Sequence, residues 1–160
     1  MKRSQKGFSL IELLIVVAII LIIAAIAIPN LIKARMQANE ASAVASIHAL
    51  NTAEMSYSSA FPTIGFSASL ANLGDGGTSP CPGSAIASCY IDPNLAAGTK
   101  SGYIFSYAAD ASMTPVLHYT INADPVSRGT SGTRSFYSSD SNVTRYNGSV
   151  PASSSDLALQ

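Results

Sequence analysis

From Leu13 to Ile28 every residue is apolar, sixteen in succession, and no other feature constrains the fold of this chain so strongly. Counted from Phe8 to Ile28 the stretch has 21 residues, interrupted only by Ser9 and Glu12. As an α-helix rising about 1.5 Å per residue it covers roughly 32 Å, close to the hydrocarbon thickness of a bilayer. Lys2, Arg3 and Lys6 precede it with no acid among them. Basic residues of this kind stay on the cytoplasmic side, so the rest of the chain is expected outside the cytoplasm.

Composition narrows the alternatives. Apolar residues make up 48% of the 160 and charged residues only 11%, well below the usual charged share of about a quarter. A disordered polyelectrolyte tail is excluded on that ground. Nine Lys and Arg balance nine Asp and Glu, which argues against general electrostatic binding of nucleic acid. Two cysteines are too few for a disulfide framework or a site of four thiolates.

Three readings of the N-terminus compete. In a secretory signal peptide, residues 1–7 form the basic region, the apolar core begins at Leu13, and Ala25-Ile26-Ala27 supplies a small-x-small cleavage site. Release after Ala27 would yield a secreted binding module or enzyme. A plain single-pass anchor is the second reading. The third accounts for the carboxylate of Glu12 just inside the apolar helix and for the Lys6-Gly7-Phe8 junction ahead of it. A carboxylate at the centre of a bilayer costs about 2.5–3.5 kcal/mol on insertion scales, and less near its edge. If the chain is cut after Gly7, Phe8 acquires an α-ammonium four residues before Glu12. On one helix those two lie near each other; between staggered helices, Glu12 of one subunit can meet the Phe8 amine of the next. That pairing offsets desolvation and fixes the axial register.

Lys6-Gly7-Phe8-Ser9-Leu10-Ile11-Glu12-Leu13-Leu14-Ile15 resembles the class III signal and N-terminal helix of type IV pilins and pseudopilins. The family pattern has a short basic leader, Gly, Phe, Glu at the fifth mature position and Pro at the twenty-second; with Phe8 first, Glu12 and Pro29 take those places. The resemblance is strong over about residues 1–60. It implies a membrane prepilin peptidase that cuts between Gly7 and Phe8 and methylates the Phe8 amine. It also implies an inner-membrane assembly machinery that draws the subunit from the membrane into a homopolymeric helical filament on the cell surface. Loss of Lys2, Arg3 and Lys6 leaves six basic residues against nine acids, a mature chain of about −3 before its termini.

Pro29 removes a backbone donor and is expected to kink or open the helix there. Helix-forming residues resume at Leu31 and continue without Gly or Pro to Ala60. Val44, Ile47, Leu50, Tyr57 and Phe61 mark one apolar face, with Lys33, Arg35, Glu40 and Glu54 lying among them. Phe61-Pro62 stops the helix. Residues 66–74 suggest a short helical turn ended by Gly74. Cys81 and Cys89 share one loop outside the cytoplasm and are expected to form a disulfide. Four β-prone segments follow, at Gly102–Tyr107, Pro115–Ile121, Arg134–Ser138 and Asn142–Tyr146, with turns at 109–112, 124–125, 128–132 and 139–141. Their short connections favour an antiparallel meander covering the amphipathic half of the helix. Asn147-Gly148 turns, and residues 149–160 read as a loose tail.

The expected class is α+β: a long N-terminal helix packed on a C-terminal antiparallel sheet, as in type IV pilins. Its parts are a leader (1–7), a membrane and filament-core helix (8–30), an amphipathic continuation (31–61) and a head (62–160). The chain contains no nucleophile motif, His-Glu-x-x-His, Walker pattern or paired carboxylates. His48 and His118 have no metal-ligand spacing. The Asp-Ile-x-Ser-Trp-like stretch beside the calcium loop of major pseudopilins is missing, so that metal site is not carried over. No catalytic residue, metal or cofactor is expected. The reading is a structural subunit of a type IV pilus, with a type II secretion pseudopilin as the alternative.

Overall fold

The structure, a computed structural model, describes residues 8–77 and 80–159. Helix α1 runs from Leu10 to Ala60 and retains helical backbone through Pro29. The chain divides into two compact units, Met1–Arg35 and Met36–Gln160. The boundary falls within α1, and the helix beyond Arg35 belongs to the same unit as the sheet.

In the first unit every described side chain is exposed except Ala24, which is half-buried. Leu, Ile and Val line the whole circumference, so this part of α1 has no polar face to turn to water. By length and composition it is able to cross a membrane.

The second unit is built on a strict alternation of three- and four-residue steps. Ala43, Ile47, Leu50, Glu54 and Tyr57 are buried, with Glu40 three residues ahead and half-buried Phe61 four residues beyond. This spacing keeps one stripe of the helix facing one side. The stripe meets a six-stranded sheet of strands β1 (Thr99–Lys100), β2 (Tyr103–Ala109), β3 (Tyr119–Pro125), β4 (Ser135–Ser139), β5 (Arg145–Asn147) and β6 (Leu157–Ala158). The strands pair antiparallel in chain order. Period-two alternation places Tyr103 and Phe105, then Tyr119, Ile121 and Ala123, then Phe136 in the core with the helix.

Two short helices, α2 (Leu70–Leu73) and α3 (Pro93–Ala96), cap the connection between α1 and the sheet. The side chain of Asp92 accepts from Leu95 N at 3.1 Å, the expected N-cap interaction. Gly65 has φ +83° and sits so close to Val116 that an added Cβ would lie 2.2 Å from the Val116 carbonyl oxygen. There the chain leaving α1 is bridged to the strand connection.

Three expectations for the head need correction. The second β segment begins at Tyr119 rather than Pro115, because Phe66 N and Val116 N bond out of register with the sheet, to Val116 O and Ile64 O. The Asp124-Pro125 turn is instead the end of β3, where Pro125 pairs with Tyr103. The C-terminal stretch is not a loose tail. Asn122 Nδ2 donates to Ala152 O at 2.8 Å, Arg145 Nη1 donates to Asp156 O at 2.7 Å, and β6 closes onto β5. These ties come from residues far back in the chain, so the local composition of Ser and small residues gave no sign of them.

Candidate functional site

Gly7, on one side of the expected cleavage junction, lies outside the described residues, as do Lys2, Arg3 and Lys6. On the other side, Phe8 is 77% exposed and precedes the helix. Ser9 takes the N-cap position and Glu12 the third helical position. The backbone N–H of Ser9 donates to Glu12 Oε2 at 2.9 Å, and Leu13 N donates to Ser9 O at 3.2 Å. Ser9-Leu10-Ile11-Glu12 is thus a capping-box sequence, in which the third helical residue reaches back to the N-cap amide. The spacing is visible in the sequence, yet the reading from sequence treated Glu12 only as a partner for an amine. Glu12 Oε1 has no hydrogen bond among the described residues.

Behind this polar tip, the apolar surface is large. Leu10, Ile11, Leu13, Leu14, Ile15 and the other Leu, Ile and Val residues to Ile32 are each roughly half exposed or more. Full burial of one such side chain stabilises by about 1.5–3 kcal/mol. Over the whole segment the free energy available from an apolar surrounding is therefore tens of kcal/mol. Monomeric soluble proteins rarely leave so large an apolar surface open to water.

The helix holds two further carboxylates, Glu40 and Glu54, and both are buried. Glu40 Oε1 accepts from Thr133 N, Thr133 Oγ1 and Arg134 N at 2.8, 2.7 and 3.1 Å, and Oε2 accepts from Arg134 Nε at 2.7 Å. Burial pushes its pKa up, but these four bonds outweigh burial and hold it at about 2. The Arg134 guanidinium also lies over the rings of Phe136 and Tyr146, each 5.6 Å from the centroid. Glu54 accepts from Ser67 N at 2.9 Å and from Ser67 Oγ at 2.5 Å, and Tyr107 donates to Ser67 O at 2.8 Å. Between them, Asn51 donates to Ser138 Oγ at 2.9 Å and accepts from Tyr119 OH at 3.1 Å. Burial first, and the nearby Glu54 charge second, raise the pKa values of Tyr107 and Tyr119. These groups fasten the amphipathic half of α1 to the sheet and to the connection after it.

Cys81 and Cys89 are joined as a disulfide, with Cα atoms 6.4 Å apart. His48 is exposed on α1, whereas His118 lies just before β3 and pairs with Asp140 at 2.9 Å. No group of three or more His, Cys, Asp or Glu able to hold a metal ion occurs among the described residues.

Residues 2–28 match the family model described as "Prokaryotic N-terminal methylation motif". The chain is similar to the type IV wide pilus major component PilA4 of Thermus thermophilus, with 66% identity over 38 residues, 24% of this chain and 29% of the relative. It is similar to the type IV major pilin protein PilA of Myxococcus xanthus, with 53% identity over 53 residues, 33% and 24% of the two chains. A fimbrial protein of Pseudomonas aeruginosa is 53% identical over 51 residues, 32% and 33% of the two chains. The matches span about a quarter to a third of the length of these curated relatives. No solved structure matches the chain. The exposed apolar helix and the motif at its start define a protein with an N-terminal methylation segment. Over that segment the chain is similar to type IV pilins, and its fold has the α+β, pilin-like composition of a long helix and an antiparallel sheet.

Proposed function

We propose that this chain is the structural subunit of a type IV pilus. The observation that carries the reading is the exposed apolar half of α1, headed by a single carboxylate. Before assembly a bilayer covers that surface. In the filament, neighbouring copies of the same helix replace lipid, so the protein passes from one apolar environment to another without exposing the segment to water. The membrane prepilin peptidase cuts between Gly7 and Phe8 and methylates the Phe8 amine, and the inner-membrane machinery then extracts the subunit. Glu12 pairs with the Phe8 amine of the adjacent subunit and sets register. Pro29, whose nitrogen supplies no ladder bond, is where α1 bends or opens on assembly.

The head forms the outer surface of the filament on the cell exterior, which is the compartment where the Cys81–Cys89 disulfide persists. The pilus and fimbrial names of the similar proteins support this reading over a type II secretion pseudopilin. The role is structural rather than enzymatic, and energy for extrusion comes from separate ATPases.

Electron microscopy of sheared surface filaments, with mass spectrometry of their subunits, tests the proposal. The expected result is filaments containing this chain with an N-methylated Phe8 at its terminus. A subunit beginning at Ile28, or recovery only as a soluble monomer, overturns it.

A further inference from the structure

The carboxylate of Glu12 is fixed at one oxygen and open at the other. Ser9 N–H holds Oε2 at 2.9 Å, while Oε1 is without a hydrogen bond among the described residues and the side chain lies exposed at the start of the helix. A free glutamate side chain samples many rotamers, and ordering it on contact has an entropic cost. Here the helix has already ordered it. We propose that the backbone N–H of Ser9 is a positioning group for assembly: it clamps one oxygen of Glu12 so that the other is presented to the α-ammonium of a second copy of this chain.

This inference rests on the proposed pairing of Glu12 with the neighbouring Phe8 amine and adds a role for Ser9. A carboxylate has about four acceptor sites, so one amide and one ammonium are held together without competition. The clamp also gives the precursor a resident donor for the charge while the helix still lies in lipid, where an unpartnered carboxylate is costly. The hydroxyl of Ser9 has no part in the bond; only the peptide N–H has. The inference therefore separates substitutions by their backbone rather than by polarity.

Ser9→Ala keeps the N–H, whereas Ser9→Pro deletes it. Proline is tolerated at a helix start because that N–H makes no ladder bond. Ser9 O, which receives Leu13 N, is retained in both variants. Each variant is expressed as the full chain, cleavage and methylation are read by mass spectrometry, and sheared filament is quantified per processed subunit. Ser9→Ala is expected to assemble as the parent does, and Ser9→Pro to lose on the order of tenfold, which corresponds to about 1.4 kcal/mol. Equal assembly of a processed Ser9→Pro variant overturns the inference. So does an equal loss in both variants, since that assigns the effect to the hydroxyl.

A second measurement does not depend on processing of the variant. In unsubstituted chain labelled with 15N at Ser9 and 13Cδ at Glu12, rotational-echo dipolar dephasing is expected in bilayer-embedded monomer and in filament alike. Its absence from either state overturns the inference. Glu12→Ala separates this proposal from the one beneath it. If Glu12→Ala assembles normally, the register reading fails. If it does not assemble while Ser9→Pro does, only the role of Ser9 fails.

Discussion

Glu40→Gln isolates the electrostatic part of the fastening between α1 and the sheet. The native carboxylate receives three hydrogen bonds at Oε1 and one from the Arg134 guanidinium at Oε2. Its side chain is only 7% exposed, so solvent screens these bonds little. Glutamine keeps one acceptor oxygen, but its NH2 group then faces Arg134 Nε, donor against donor. The pKa of Glu40 lies at about 2 in the folded chain against an ordinary 4.5. At about 1.36 kcal/mol per pH unit, the ionised form contributes about 3 kcal/mol to folding at neutral pH.

The folded pKa is depressed, so this stability is present above pH 4.5 and is lost as the pH falls toward 2. More than half is gone by about pH 3. Glu40→Gln is therefore expected to unfold at lower urea than the parent at pH 7, with a deficit of about 2–3 kcal/mol. The deficit should shrink steadily below pH 4.5 and nearly vanish at pH 2. The chain has no Trp and seven Tyr, so near-ultraviolet circular dichroism of tyrosine in non-ionic detergent follows the head through the transition. A deficit of the same size at pH 7 and pH 2.5 would show that shape and not charge made the difference. No deficit at pH 7 would refute the role of the buried carboxylate altogether.

Three other outcomes are expected. Glu12→Ala should be cleaved and methylated but yield few or no filaments in shearing assays; normal filament yield would count against the register pairing. Gly65→Ala combines a positive φ with a Cβ 2.2 Å from a backbone oxygen, so a loss of about 3 kcal/mol or more, or failure to fold, should appear in urea titration. Reducing the Cys81–Cys89 bridge reopens a short loop and should remove about 2–3 kcal/mol by loop entropy. Calorimetry should record this as a fall in Tm of about 10 °C, and an unchanged transition would assign the bridge no share in stability.

Much of the fold was legible in the sequence because its signals are local. The unbroken apolar run, the three- and four-residue steps of Ile47, Leu50, Tyr57 and Phe61, and the Phe61-Pro62 stop all act within a few residues. The bounds of α1 follow from them. The disulfide followed from compartment and chain spacing. The C-terminal closure was not legible, because Asn122 and Arg145 supply its bonds from 30 and 11 residues away. Register was legible only in part. Val116 is as β-prone as Ile121, but the backbone of residues 64–66 takes its bonds, so β3 starts at Tyr119.

The acids of α1 carry the same lesson into function. Glu40 and Glu54 fall on the buried stripe, where sequence alone would place apolar residues, and each is satisfied by donors remote in the chain. Thr133 and Arg134 lie 93 and 94 residues beyond Glu40, and Ser67 lies 13 beyond Glu54. A carboxylate on an apolar helix face thus marks where another element must arrive. Glu12 is the third such acid, and among the described residues only one of its oxygens is met, by the nearby amide of Ser9. The head supplies the missing donors for Glu40 and Glu54. In the proposed filament the donor for the remaining oxygen is the α-amine of a second copy, the cation that cleavage before Phe8 would free at this end of the helix.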